Sequence, residues 1–233
     1  MDLLGAAVLN NALWCDVVVR ANRGLTQFDR RLWRALQAAP RFYPDAITLC
    51  ARDSAARVEA LRALGEGRGG MMWSAKDSFA DLDLSSLGMH VLFEAQWICR
   101  PSRVGVAQPR DDRLMWRAVE DETALAQWRR GFAQADAAPD VFDAALIGQP
   151  GIRFVGAWHG RDCLAGAVFN RHAGVCGVSN VFTPDEACRA RIVELACRFA
   201  EDAPLAGYET DPAPWRALGF ETLGPLRIWR GGR

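Results

Sequence analysis

The chain is poor in the residues from which many recognisable sites are built. Its 233 residues hold three histidines and no Cys-x-x-Cys pair, and His159 and His172 fall in turn-like stretches. Zinc needs ligands clustered at short spacing, so no metal site is expected. Formal net charge is zero, with 28 Lys and Arg against 28 Asp and Glu. No block of like charge occurs, and although Arg is heavily preferred over Lys it is spread along the chain. This excludes a general affinity for nucleic acid or for an anionic membrane. Long apolar runs are scarce too. The N-terminal "MDLLGAAVLNNALWCDVVVR" carries Asp2, has no basic leader or small-residue cleavage signature, and is interrupted by Asp16. It reads as a buried amphipathic helix over Ala6 to Ala21, not as a span or a secretory signal. Cytoplasmic residence is the resulting expectation. There is no Gly-x-Ser-x-Gly, and "GEGRGG" lacks the Lys-Ser/Thr of a phosphate loop, so it reads as a flexible turn.

Half of the residues are apolar and about a quarter charged, the composition of a globular protein with a sizeable core. Seven cysteines sit mostly inside apolar runs, which suits buried free thiols in a reducing compartment. The nine tryptophans fall mostly at periodic apolar positions, as core residues or as walls of a ligand pocket.

The polar, proline-containing stretch from Arg100 to Arg113 reads as a linker. It divides the chain into residues 1–105 and 106–233. In the second part, Leu114 to Val119 reads as a strand. Asp121 then caps a helix with Leu125, Trp128 and Phe132 in line, and a short helix follows Pro139. Three meandering strands come next, "IRFVGAW", "CLAGAVFN" and "VCGVSNVF". A helix is expected with Thr183 as N-cap, Pro184 in its first position and Glu186 closing a Thr-x-x-Glu capping box. "LAGYET", a short helix "DPAPWRAL" and two strands parted near Gly224-Pro225 finish the chain. The first part reads as helices over Ala6 to Ala21 and Phe28 to Ala38, a strand "DAITLC", a helix "SAARVEALRALG" and two strands, "MMWSAKDSFADLDL" and "GMHVLFEAQWIC".

This element order, together with "WRALGFETLGPLRIW", resembles the GNAT superfamily of acyl-CoA N-acyltransferases from about Leu114 to Trp229. The first part resembles a partial second copy, through "EALRALG" and "SSLGMHVLFEAQWICR". The implied fold is α/β, with a mixed, splayed sheet and an N-terminal half-copy. The implied activity is acyl transfer, most simply acetyl transfer from acetyl-CoA to a primary amine, in a small-molecule enzyme that could pair as a homodimer. A catalytically degenerate binding protein using the same cleft is the other reading, and a tandem enzyme with its cleft between the parts is a third.

On the family's pattern the coenzyme would meet Ser179, Asn180, Val181, Thr183, Arg189 and Arg191. Tyr208 would be the general acid and Glu209 the general base, although neighbours on a strand face opposite ways. The family's pyrophosphate loop carries glycines. Here the matching "VFTPDEACRARIVE" has none, Pro184 lacks an N–H, and Asp185 and Glu186 would repel an anion. Many members place a tyrosine where this chain has Trp215, which keeps packing and loses the ionisable hydroxyl. Trp215 joins Lys76 and Asp77 as a substrate-side candidate. Lys76-Asp77 itself reads as a buried ion pair, a substrate clamp or a solvated hairpin edge.

Overall fold

The computed structural model describes residues 2–101, 114–133 and 141–232. The linker after Pro101 and the 105/106 boundary lie outside them. The first helix, α1 (Leu3–Ala21), starts where the Asp2 carboxylate accepts from the Gly5 N–H, satisfying one of the free amides of the first turn. It is long and apolar enough to cross a membrane by composition, but half of its most apolar window is buried in the fold.

The stretch expected as a helix over Phe28 to Ala38 is instead a hairpin, β1 (Thr26–Phe28) and β2 (Leu32–Ala35). The spacing of Phe28, Leu32 and Leu36 imitates a helical face. The decisive residue is Asp29, whose carboxylate accepts from the Arg31 and Leu32 amides and turns the chain. Leu32, Trp33 and Ala35 are then buried, while Phe28 and Leu36 stay exposed.

Strand β3 (Ala46–Thr48), helix α2 (Ser54–Gly67) and strand β4 (Trp73–Asp77) form a parallel βαβ unit. A 3₁₀ turn, Ser85–Leu87, leads into β5 (His90–Arg100). Next come β6 (Met115–Ala118), α3 (Glu122–Ala133), β7 (Ile152–His159), β8 (Asp162–His172) and β9 (Val175–Phe182). The helix expected after Pro139 is only a 3₁₀ turn, Ala144–Leu146. Helix α4 (Glu186–Ala200), strand β10 (Leu205–Glu209) and the short α5 (Ala213–Arg216) follow. The last segment, read as two strands, is one irregular strand, β11 (Glu221–Gly231). Its register against β5 slips between Thr222 and Gly224, which lets Pro225, without a donor, sit inside the sheet.

Among the described residues, eleven strands make one mixed sheet in the order β1-β2-β3-β4-β11-β5-β10-β9-β8-β7-β6. The two sequence halves are interleaved. Both β3–α2–β4 and β9–α4–β10 are parallel units, and each leads through a short helical turn into a long strand. That long strand crosses over: β11 pairs with β4, and β5 with β10. At both crossings the glycine of a Leu-Gly pair, Gly88 or Gly219, ends the turn at positive φ, a conformation cheap only without Cβ. Arg100, at the end of β5, donates from Nε to the Leu218 carbonyl at 2.8 Å and ties the exchanged strand to the other half.

Helices α1 and α3 share one face of the sheet. There the fully buried Trp128 stacks on Phe132 and meets Phe142, Phe154 and Phe182 edge-on. Helix α4 covers the other face, with Ile192, Val193 and Ala196 clustered against Phe169 and Val178. A buried Asn10 amide fixes α1 to the sheet by donating to the carbonyls of Asn170 and His172 at 2.9 and 3.1 Å. The approach is so close that a Cβ at Gly177 would lie 2.2 Å from both the Asn10 and the Asn170 side-chain oxygens.

Candidate functional site

Strands β9 and β10 pair at only two positions, Leu205 with Cys176 and Ala206 with Gly177. Beyond these they part. Asn180 adopts a left-handed φ of 51°, unusual for a strand residue and tolerated best by Asn, Asp or Gly. The opening is lined by Val178 to Val181 on one side and Ala206 to Glu209 on the other. Ala7, Asn10, Asn11, Trp14 and Cys15 of α1 lie across it. This cavity has a volume of about 260 Å³. An outer cavity of about 790 Å³ lies against the 39–45 loop, Met72, Leu92, Phe93 and Ile228. Phe42, Tyr43, Pro44, Lys76 and Tyr208 line both.

Lys76 stands at that junction. It is the only lysine in the chain and is 1 % exposed. Its Nζ donates to Asn11 Oδ1 at 2.6 Å and lies 4.1 Å from the centre of the Tyr208 ring and 5.8 Å from that of Trp97. The ring faces partly offset the loss of water around the ammonium. Among the described residues no carboxylate forms an ion pair with it.

Asp77, its neighbour, takes no part. Strand alternation sends it to the opposite face, where its carboxylate accepts from the Leu82 amide at 3.0 Å. It sits beside Asp81, which the buried Arg57 grips with two bonds of 2.8 and 2.6 Å. Burial is the largest cause raising Asp77 to about 6, and the Asp81 charge adds to it. The Lys76-Asp77 dipeptide is therefore neither an ion pair nor a solvated edge: both residues are buried, on two faces.

Of the residues singled out by sequence, Lys76, Ser179, Asn180, Val181, Tyr208 and Glu209 line the inner cavity together. Glu209 is pushed up to about 7, first by burial, with Arg189 opposing and Asp211 assisting. Arg189 thus acts on the cleft through Glu209. Arg191 lies further along α4, paired with Glu194, which also holds Arg198. Trp215 is in the core against Phe220, ring centres 5.2 Å apart, and lines neither cavity.

Sequence reasoning passed over Asn10, Asn11, Trp14, Cys15, Tyr43 and Trp97. One available signal was the Asn10-Asn11 pair inside an otherwise apolar helix; another was that Lys76 has no second lysine beside it. Burial raises Cys15 to about 11, so it lines the cavity as a neutral thiol. Burial likewise raises Tyr43, with Asn180 and Trp14 beside its hydroxyl opposing, though among the described residues that hydroxyl makes no hydrogen bond of good geometry.

The start of α4 differs from the expected cap. Asp185, not Thr183, is the N-cap, and its carboxylate accepts from the Cys188 amide at 2.8 Å. Thr183 instead bonds the Asp185 backbone. With Asp185 as N-cap, Pro184 precedes the helix, where its missing N–H leaves no helical bond unmade. A coenzyme pyrophosphate needs free amides and positive potential at this point. Here a carboxylate occupies one amide and Glu186 adds a second negative charge, so the first turn of α4 does not fit that group.

The sequence matches no protein-family model and no curated protein, whereas solved structures resemble it along nearly its whole length. A GCN5-related N-acetyltransferase from Kribbella flavida superposes with a TM-score of 0.67, covering 97 % of this chain and 95 % of that one at 16 % identity. A putative GNAT-family acetyltransferase from Novosphingobium aromaticivorans gives 0.58, with 97 % and 98 % covered at 14 % identity. A tandem GNAT protein from the clavulanic acid biosynthesis pathway gives 0.55, with 86 % and 78 % covered at 15 % identity. The chain has the mixed α/β fold of the GNAT superfamily, and the likeness includes its N-terminal part. The two parts contribute interleaved strands to one sheet.

Proposed function

We propose that the chain is a GNAT-fold small-molecule binding protein whose ligand enters the gap between β9 and β10 and reaches Lys76. The observation that carries this reading is the pairing of an open, polar-lined gap with a coenzyme turn closed by its own Asp185 carboxylate. Aromatic walls from Trp14, Trp97 and Tyr208, with a few convergent polar groups, suit a small ligand. Saturation-transfer NMR with small aromatic fragments tests it, repeated on Ser179→Trp, which fills the mouth of the gap. Transfer that is lost in the variant supports the reading. Transfer unchanged in the variant, or transfer to the adenine and pantetheine protons of acetyl-CoA, overturns it.

One observation favours a second reading, N-acyl transfer to a primary amine. Glu209, raised to about 7 at the cleft edge, is poised to take a proton from an attacking ammonium near neutral pH. On that reading Tyr208 is the nearby hydroxyl acid, and Ser179 and Asn180 position the amine. Amine-dependent release of free thiol from acetyl-CoA, abolished in Glu209→Gln, would establish it. No release across a panel of amines and amino acids would remove it.

A further inference from the structure

From the surroundings of Lys76 we infer that the ligand is a small organic carboxylate, its anionic group held by this lysine. The inference rests on the proposed ligand-binding reading of the cleft and names the class of molecule it takes. A buried ammonium is costly unless it is paired. Lys76 has three donor hydrogens, a single hydrogen-bond partner, Asn11, and no ion pair among the described residues. The charged groups around the two cavities leave it unopposed. Glu209 makes no ion pair with it, and Arg189 partly opposes the Glu209 charge. Asp45 accepts from the Ala39 and Ser74 amides and pairs with Arg68 at 3.0 Å. The outer cavity adds two further cations, Arg41 and Arg230.

A second, independent observation points the same way. The Tyr43 hydroxyl, in a residue only 9 % exposed, has Asn180 and Trp14 beside it but no hydrogen bond of good geometry among the described residues, and Tyr43 lines both cavities beside Lys76. A carboxylate offers two oxygens with about four acceptor positions. One oxygen on Nζ and the other on the Tyr43 hydroxyl would give both groups a further, well-aligned partner at once. Phosphate is disfavoured because Lys76 meets an amide and two aromatic faces, with no guanidinium fork or cluster of backbone amides at the junction. The faces of Tyr208 and Trp97 suit a flat, apolar body behind the charge.

The test uses benzoate, its neutral isostere benzamide, and phenyl phosphate, titrated by calorimetry into the wild-type chain, K76M and K76Q. A charge-assisted bond predicts that benzoate binds about tenfold or more tighter than benzamide. That preference should collapse to within about threefold in K76M and K76Q. Because removing an unpaired buried charge relieves its burial, Tm of K76M should stay equal to wild type or rise by about 2–4 °C. Equal affinity for benzoate and benzamide would overturn the carboxylate while leaving the cleft a binding site. No binding of either at about 5 mM would overturn both. Preference for phenyl phosphate, or a Tm fall of more than about 5 °C in both variants, would also overturn the inference, the last by making Lys76 a packing residue.

Discussion

Replacing Asp77 by Asn should stabilise the protein at neutral pH and leave it nearly unchanged in acid. The Asp77 carboxyl is fully buried and is raised from 3.8 to about 6, burial being the largest cause. In the unfolded chain it returns to its ordinary value. Between pH 4 and 6 the folded form therefore keeps a proton that the unfolded form has lost, so stability falls as pH rises through this window and is level above it. Roughly two pKa units at 1.36 kcal/mol each give a penalty of about 2–3 kcal/mol at pH 7.5. Asn reproduces the protonated carboxyl, with an oxygen for the Leu82 amide and a donor for Asp81, and does not ionise. For a chain of this length each kcal/mol moves Tm by about 2–4 °C, so a gain of about 5–10 °C is expected at pH 7.5, shrinking to about 1–2 °C by pH 4. Differential scanning calorimetry of both proteins between pH 4 and 8 reads this directly. A variant less stable than wild type at pH 7.5, or a gain independent of pH, would refute the reasoning.

Glu209→Gln should flatten the pH dependence of benzoate affinity. In the wild type, ionisation of Glu209 through about 7 weakens anion binding several-fold between pH 6 and 8, by calorimetry at both pH values. Asn10→Ala should destabilise by about 2–4 kcal/mol, since buried carbonyls and the Asn170 amide lose their partner, and urea denaturation measures it. Trp215→Ala should cost about 3–5 kcal/mol, as expected for an emptied core site. Trp215→Tyr should leave fragment binding in the cleft unaltered, because the side chain packs on Phe220 away from both cavities.

The C-terminal half was well legible in the sequence. Its strands alternate cleanly, α3 carries Asp121 at its cap and Leu125 and Trp128 on one face, and the element order names the fold. What misled was local ambiguity. Phe28, Leu32 and Leu36 fit a helix as well as a hairpin, and only the Asp29 turn and the burial of Trp33 decide between them. At α4 the capping box on Thr183 and the cap on Asp185 both satisfy local chemistry, and the choice between them alters what an anion meets there. The interleaving of β5 and β11 was out of reach, because strand exchange between halves leaves no periodic trace. The two Leu-Gly closures do mark equivalent places, one at each crossing. For the site, six of the residues picked from sequence converge on one cavity. The wall supplied by α1 was missed because Asn10 and Asn11 read there as interruptions of a core helix.

The central claim is that the cleft receives a small ligand while the turn at Asp185 refuses a coenzyme pyrophosphate. Calorimetric titration of acetyl-CoA into the wild-type chain tests it most directly. The account predicts no saturable heat up to about 1 mM, an affinity weaker than about −4 kcal/mol. One-to-one binding at micromolar concentration, about −8 kcal/mol, would contradict it.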